Sequence, residues 1–520
     1  MKTQSFLRRG LWLPSLLSFL MLAVLGQAKN IGGDPPDRCS TCGCSACKQR
    51  SNTSSNISRT EGNLTERVPV STTRSSAGVT IDLWATYNSY NADGSRAAID
   101  TVMGYGWTHS YNIFLFTQFG AMFRYDGDGR VTKFGAGPGG TFITSTGYFE
   151  TLVKNSDGTF TLTQKDKTTY TFASIPATPF LVGGPVWRLT TMVDRNGNTT
   201  TLAYSAGNLK TVTDTYGRAT TFAYNAQGKI VSATDPLGST TMFSYDSTGH
   251  KLTQITDPTG KTIQYTYNSL YQLTSKIDKD NRLFTYLYTG GPEPIAINDG
   301  AGTSPGTMSN PGNWATDATQ LASDVMRSYV PATTSVTDGR GNVWKYQYDS
   351  NGYLLKITAP DGATTSSTYD SATLMPASRT DADGNTTRWK YDSEGNMIQM
   401  TDALGHVTTY TYEPVFNMIT SMTDPRGRQT TYTYDAYGNR LTETDPLGQT
   451  RSWTYDSHGN ILTSTDKNGN TTANQYDASG DLVKTTDPLG NSRHTRTMPQ
   501  ATCSPRRMPT TTRPVISMTV

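Results

Sequence analysis

The chain has 520 residues, 35% of them hydrophobic and 17% charged, with a formal net charge of +3. Charge falls below the ~25% usual in soluble domains, mean hydropathy is −0.51, and Thr, Ser, Gly, Asn and Tyr make up the bulk. Such a composition suits a sheet with polar faces and many turns. It is poor material for a compact enzyme core and gives no electrostatic case for nucleic acid or an anionic membrane.

Residues 1–28 read as a secretory signal peptide. Lys2, Arg8 and Arg9 form a basic region, Leu11 to Leu25 a short apolar run broken by Pro14, and Gly26-Gln27-Ala28 offers small residues for cleavage after Ala28. The run is short of the ~20 residues that span a bilayer. No membrane span is expected after cleavage, an uncleaved anchor being the second reading. The mature chain is expected to be extracellular, secreted or on the cell surface.

Residues 29–76 combine a cysteine cluster with a linker. Cys39, Cys42, Cys44 and Cys47 are the candidate disulfide formers, and Cys503 is the one other cysteine. Thiolates at this density can also bind zinc or an iron–sulfur cluster, but the spacing fits neither a zinc ribbon nor the ferredoxin run. In an exported chain disulfides are the better reading, and no metal or cofactor is assigned. Ser51 to Ser76 shows no strand periodicity and reads as a disordered spacer.

Residues 77–184 form a leading β region. It contains Gly104-Tyr105-Gly106-Trp107-Thr108-His109-Ser110-Tyr111 and Tyr125-Asp126-Gly127-Asp128-Gly129-Arg130.

Residues 185–288 and 336–490 carry a repeat. Its mark is Tyr348-Asp349, Tyr391-Asp392, Tyr434-Asp435, Tyr455-Asp456 and Tyr476-Asp477, with the last three 21 residues apart. Before each mark, β-branched and aromatic residues alternate, as in Thr408-Thr409-Tyr410-Thr411-Tyr412, so the two aromatics share one face of a strand. A Gly for a tight turn follows four residues after most of the aromatics. An aliphatic anchor comes next, then a turn such as Asp445-Pro446-Leu447-Gly448. Each repeat is therefore a β-hairpin, and a fixed period of this size means a stacked array. The expected fold is all-β: tandem hairpins in one long, curved or spiralling antiparallel sheet.

These residues resemble the RHS/YD-repeat family, which includes the shell of insecticidal toxin complexes and the matching region of teneurins. The leading motifs resemble the start of bacterial RHS proteins. The resemblance implies a sheet that spirals into a hollow shell. In toxin members it implies an enclosed C-terminal effector released by a self-cleaving core. That core and effector have no counterpart in this sequence, so a partial, unclosed shell is expected.

Residues 289–335 interrupt the repeat. They read as a Gly/Pro-rich insertion with one short helix, on the spacing of Leu321, Val325 and Met326. Residues 491–520 lose Tyr, Gly and alternation together. They read as a disordered, aberrant tail from a shifted reading frame, with a basic partner-binding tail as runner-up.

The search for chemistry returns little. The five histidines are far apart, with His250 and His458 at Gly turns where a solvated residue is expected. Gly135 to Gly140 matches a dinucleotide fingerprint but leads into a strand, not a helix. Asp194 to Asn198 and Asp466 to Asn470 look like calcium loops but lack the closing Glu, and turn chemistry explains them. No catalytic residue is assigned, and a non-enzymatic scaffold is expected. The aromatic stripe has two readings. A cross-strand ladder is the first. A glycan-binding face is the alternative, with Trp389, Tyr391, Trp453 and Tyr455 stacking on sugars and making the protein an adhesin for glycans or other cell-surface proteins.

Overall fold

The computed structural model describes residues 64–72, 81–92, 100–118, 120–144, 147, 149–175, 185–288, 294–298, 306–309, 333–337, 342–349 and 353–495. Among them are antiparallel strands, turns and two single 3-10 turns, with no α-helix. The expected hairpin array is present. One sheet runs from Phe114–Gln118 to Ser492–His494, each strand paired with its sequence neighbour.

The strands follow from the alternation. In Ala219–Tyr224 the inner side chains Thr220 and Phe222 are buried while Thr221 and Ala223 are exposed. The outer face is zipped by paired hydroxyls, including Thr433 with Thr442 at 2.6 Å and Thr454 with Thr463 at 2.7 Å. Such cross-strand pairs explain why threonine dominates the composition.

The sheet closes on itself once, early. Strand Val186–Val193 pairs along one edge with Thr169–Ser174. Its other edge is shared: Val186–Arg188 meet Phe114–Phe116, and Thr191–Val193 meet Thr199–Thr201. The strands from Phe114–Gln118 to Val186–Val193 thus form a ring, and the same last strand hands the sheet onward. Beyond it the described strands wind past the start of the sheet, and no second closure is among their pairings.

A three-stranded sheet of Thr65–Thr72, Asp82–Asn88 and Trp107–His109 packs on the aromatic face of residues 220–286. Trp107 is fully buried, edge-on to Tyr265 with centroids 4.9 Å apart, and its Nε1 donates to Tyr267 Oη at 2.8 Å. Lys276 Nζ meets Glu66 at 2.9 Å, and Thr241 Oγ1 donates to the Val70 carbonyl at 3.0 Å. The leading segment is therefore a plug on the aromatic face of residues 220–286.

Three boundaries differ from the sequence reading. The spacer of residues 29–76 ends in a strand, Thr65–Thr72, with Leu64, Glu66, Val68 and Val70 buried in alternation. Its pattern is short and broken by Pro69, and partners supply what local sequence does not. The 289–335 insertion contributes strands Pro294–Asn298, Gly306–Ser309 and Thr333–Thr337, which keep the sheet continuous. Alternation in Pro294-Ile295-Ala296-Ile297 is hidden between Gly/Pro clusters. The helix expected there lies outside the described residues. The tail's first residues, Ser492–His494, form a last strand on Leu482–Thr486, because backbone pairing tolerates side chains that no longer alternate.

Candidate functional site

The Tyr-Asp mark resolves into two separate locks. Asp435 Oδ1 accepts hydrogen bonds from the backbone N–H of Tyr437 and Asn439, both at 2.9 Å, and Oδ2 accepts from Asn439 Nδ2 at 3.0 Å. Gly438, at φ +78°, completes the turn by donating its N–H to the Asp435 carbonyl at 3.1 Å. The inter-hairpin turn uses the same device: Asp445 Oδ1 caps Leu447 and Gln449, both at 2.9 Å. One carboxylate oxygen of such a corner thus caps its own turn, and the second closes the turn, as at Asp435, or, at Asp257 and Asp445, takes a lysine of the next repeat, Lys279 or Lys467, at 2.6 Å.

The tyrosine works across the sheet. Its hydroxyl donates to the carbonyl of the residue fifteen positions earlier, at the start of the previous repeat's second strand. This holds for Tyr204, Tyr224, Tyr245, Tyr267, Tyr369, Tyr391, Tyr412, Tyr434, Tyr455 and Tyr476, at 2.6 to 3.0 Å. The candidate glycan-stacking residues divide accordingly. Tyr391 and Tyr455 spend their hydroxyls on the Pro376 and Arg440 carbonyls. Trp453 lies 4.6 Å beneath the Arg440 guanidinium, and Trp389 is half-buried two residues before Tyr391.

Where the later winding passes the earlier one, a seam forms. Asn439 Nδ2 donates to Asn196 Oδ1 at 2.8 Å, Asn198 Nδ2 to the His458 carbonyl at 3.0 Å, and Asn460 Nδ2 to Tyr216 Oη at 3.3 Å. Arg218 meets Asp481 at 3.7 Å. Glycine allows the approach. A Cβ on Gly459 would stand 2.5 Å from Asn196 Nδ2, and one on Gly480 would strike the Tyr216 ring. Gly448 and Gly490, on the other rim, have nothing within 4 Å of that position. His458, expected to be solvated, instead holds Asn198 Oδ1 at 2.9 Å and lies 5.2 Å from the Tyr216 ring. A cleft of about 420 Å³ remains at the seam, lined by Tyr216, Asp456, His458, Asn460, Tyr476 and Asp477. Asn196, Asn198 and Tyr216 were missed in the sequence because one turn looks like another.

The RHS Repeat family matches residues 205–241, 245–283, 333–364, 369–407, 391–420, 415–450, 438–471 and 455–492. These matched stretches are RHS repeats, and the chain belongs to that family. No curated protein matches the chain. Among solved structures, TcdB2-TccC3-Cdc42 is 13% identical with a TM-score of 0.41, covering 83% of this chain and 26% of that one. TcdB2-TccC3 without its hypervariable C-terminal region is 12% identical with a TM-score of 0.40, covering 79% and 26%. The N-terminal domain of effector protein SpvB from Salmonella typhimurium strain LT2 is 13% identical with a TM-score of 0.22, covering 45% and 97%. The chain thus spans about a quarter of the length of the first two.

Other polar clusters serve the RHS array as fasteners. Asp100, on the leading segment, takes Lys229 Nζ at 2.5 Å and His250 Nδ1 at 3.0 Å. His109 is buried against Phe222, and burial together with the nearby Arg188 charge lowers its pKa to about 3, so it stays neutral. Arg124 is held by Asp126 at 2.6 Å and Glu150 at 2.7 Å. Among the described residues, no group of three or more His, Cys, Asp or Glu is placed to hold a metal ion. No helix among them is long and apolar enough to cross a membrane. Cys39, Cys42, Cys44 and Cys47 lie outside the described residues.

Proposed function

We propose that this chain is an exported, non-enzymatic RHS-repeat scaffold, part of the wall of a toxin-encapsulating or cell-surface interaction shell. One observation supports the reading most: a single sheet winds past itself along a glycine-lined seam, with its leading segment fastened on the aromatic face of residues 220–286. Side chains that look chemically equipped are committed to that construction. The corner aspartates cap turns, the tyrosines lock neighbouring repeats, and His109 is sealed in the core.

Small-angle scattering on the purified mature chain tests the wall. A hollow particle, open at one end, is expected. A solid particle of the same mass would sink the reading. Glycan-array binding lost on Trp389→Ala or Trp453→Ala would move the assignment to an adhesin. Turnover abolished by a point substitution that leaves the fold intact would move it to an enzyme.

A further inference from the structure

The steps of the seam are not equally closed. At the first, Asn198 Nδ2 donates to the His458 carbonyl at 3.0 Å, and His458 Nδ1 holds Asn198 Oδ1 at 2.9 Å. At the next, Arg218 stands in the place of Asn198 and comes no nearer to Asp481 than 3.7 Å. The cleft lies at this second step, and its volume of about 420 Å³ is that of a small-molecule site.

One residue sets its chemistry. In three earlier Tyr-Asp turns of this winding the fifth residue is asparagine. Asn396, Asn439 and Asn460 donate Nδ2 to Oδ2 of Asp392, Asp435 and Asp456, at 2.8 to 3.0 Å. In the turn that follows them the fifth residue is Asp481. Asp477 Oδ1 still caps Ser479 N–H at 2.9 Å and Asp481 N–H at 3.0 Å, but its Oδ2 receives no hydrogen bond among the described residues. Burial, and repulsion from Asp477 and Asp214 set against the Arg218 charge, raise the Asp481 pKa above its ordinary value. Asp456 and Asp477 line the cleft with Tyr216 and Tyr476, and neither aspartate is in an ion pair among the described residues. Arg218, committed to Asp214 at 2.7 Å, already lies 5.6 Å from the Tyr216 ring. Asn460 also lines the cleft. It is 2% exposed, and its buried Oδ1 has no hydrogen-bond partner among the described residues. Carboxylates without a cation, an acceptor without a donor and two tyrosines suit a cation that donates hydrogen bonds.

We propose that the seam cleft binds an alkylammonium group, which donates to the open Oδ2 of Asp477 and is held by the Asp456 charge and by Tyr216 and Tyr476. A metal ion fits less well, because no three acidic or histidine side chains converge there among the described residues. The bound group touches Tyr216 of the earlier winding and Asp477 of the later one, so it clamps the seam. The site rests on the seam alone and not on the scaffold's proposed use.

The probes are putrescine, a free amine, and acetyl-Gly-Lys-Gly-amide, which carries a lysine side chain. Each is titrated calorimetrically into the full chain beside a neutral counterpart, butanediol or the same peptide with norleucine. Saturable binding of at least one amine is expected, and of neither counterpart. Tighter binding of putrescine identifies a free amine as the source, tighter binding of the peptide a lysine side chain. Asp481→Asn rebuilds the turn of the three neighbours and fills Asp477 Oδ2, so it should weaken binding roughly ten-fold or more. Asp477→Asn should do the same. This chain already uses asparagine at such a corner in Asn225, whose Oδ1 caps Gln227 and Lys229. Asp466→Asn, at a corner on the other rim, should leave binding unchanged. Melting curves check that the variants fold like the parent, whose midpoint the bound amine should raise. Binding of neither amine, equal binding of the neutral counterparts, or an affinity indifferent to Asp481→Asn overturns the proposal. The comparison of amine with neutral counterpart needs no variant. Calcium chloride that binds where neither amine does would make this a metal site and overturn it as well.

Discussion

Tyr434 shows what a repeat tyrosine is worth. Its ring belongs to the aromatic ladder, and its hydroxyl donates to the Ile419 carbonyl at 2.6 Å. Tyr434→Phe keeps the ring and removes the bond. It is expected to cost about 0.5–1.5 kcal/mol, read as a lower denaturant midpoint at unchanged slope. The same hydroxyls set an alkaline limit. Burial pushes Tyr170, Tyr410 and Tyr434 up to about 12 from an ordinary 10.0. The folded chain therefore holds these protons more tightly than the unfolded chain does. Their contribution is complete below pH 10.0 and is lost as pH rises through about 12. Thermal midpoints measured against pH should be level with respect to tyrosine below 10.0 and fall above it. A midpoint that stays flat to pH 12 would contradict this burial.

At the scale of the hairpin, two glycines of similar φ carry different loads. Gly448 needs only its left-handed backbone, whereas Gly480 also needs an absent Cβ, because Tyr216 occupies that space. Gly448→Ala should cost about 1–2 kcal/mol, the usual penalty for a left-handed L-residue. Gly480→Ala should cost more, and Tyr216→Ala should recover the excess in a double-mutant cycle. Equal penalties at the two sites would mean that the seam is loose in solution. The contrast also marks what the sequence could carry. Hairpins, turn glycines and the shared face of Tyr432 and Tyr434 are local, and they were legible from period and alternation. Which glycine faces a neighbour is set by a residue 264 positions earlier, and no local pattern reports that. Strand Thr65–Thr72 was illegible for the same reason, since the wall it packs on lies far along the chain. The disulfide reading of the four clustered cysteines falls outside the described residues and stays a proposal.

At the scale of the whole molecule, the plug is fastened to residues 229–276 of the array, well before its last described hairpins. Trp107→Ala removes a fully buried indole and its bond to Tyr267. A local loss of about 3–5 kcal/mol is expected. Stability in repeat arrays is carried by nearest neighbours. Hydrogen exchange should therefore speed up first in residues 82–109 and in the strands from 219 to 286 that they cover. Protection over residues 429–476 should persist. Uniform loss across the array would show instead that plug and wall unfold as one unit.

The seam also has a history in time. Tyr216 and Gly480 are 264 residues apart. A ribosome adding ~5–20 residues per second separates their appearance by roughly 13–53 s. Each hairpin can pair with its predecessor almost as soon as it emerges, whereas a rim turn of the first winding waits most of a minute at the slower rate for its cover. Growth then presents one fresh strand edge at a time, while a lengthening bare rim trails behind it. Synthesis speed, more than the folding speed of any hairpin, sets when the wall acquires its second layer of contacts.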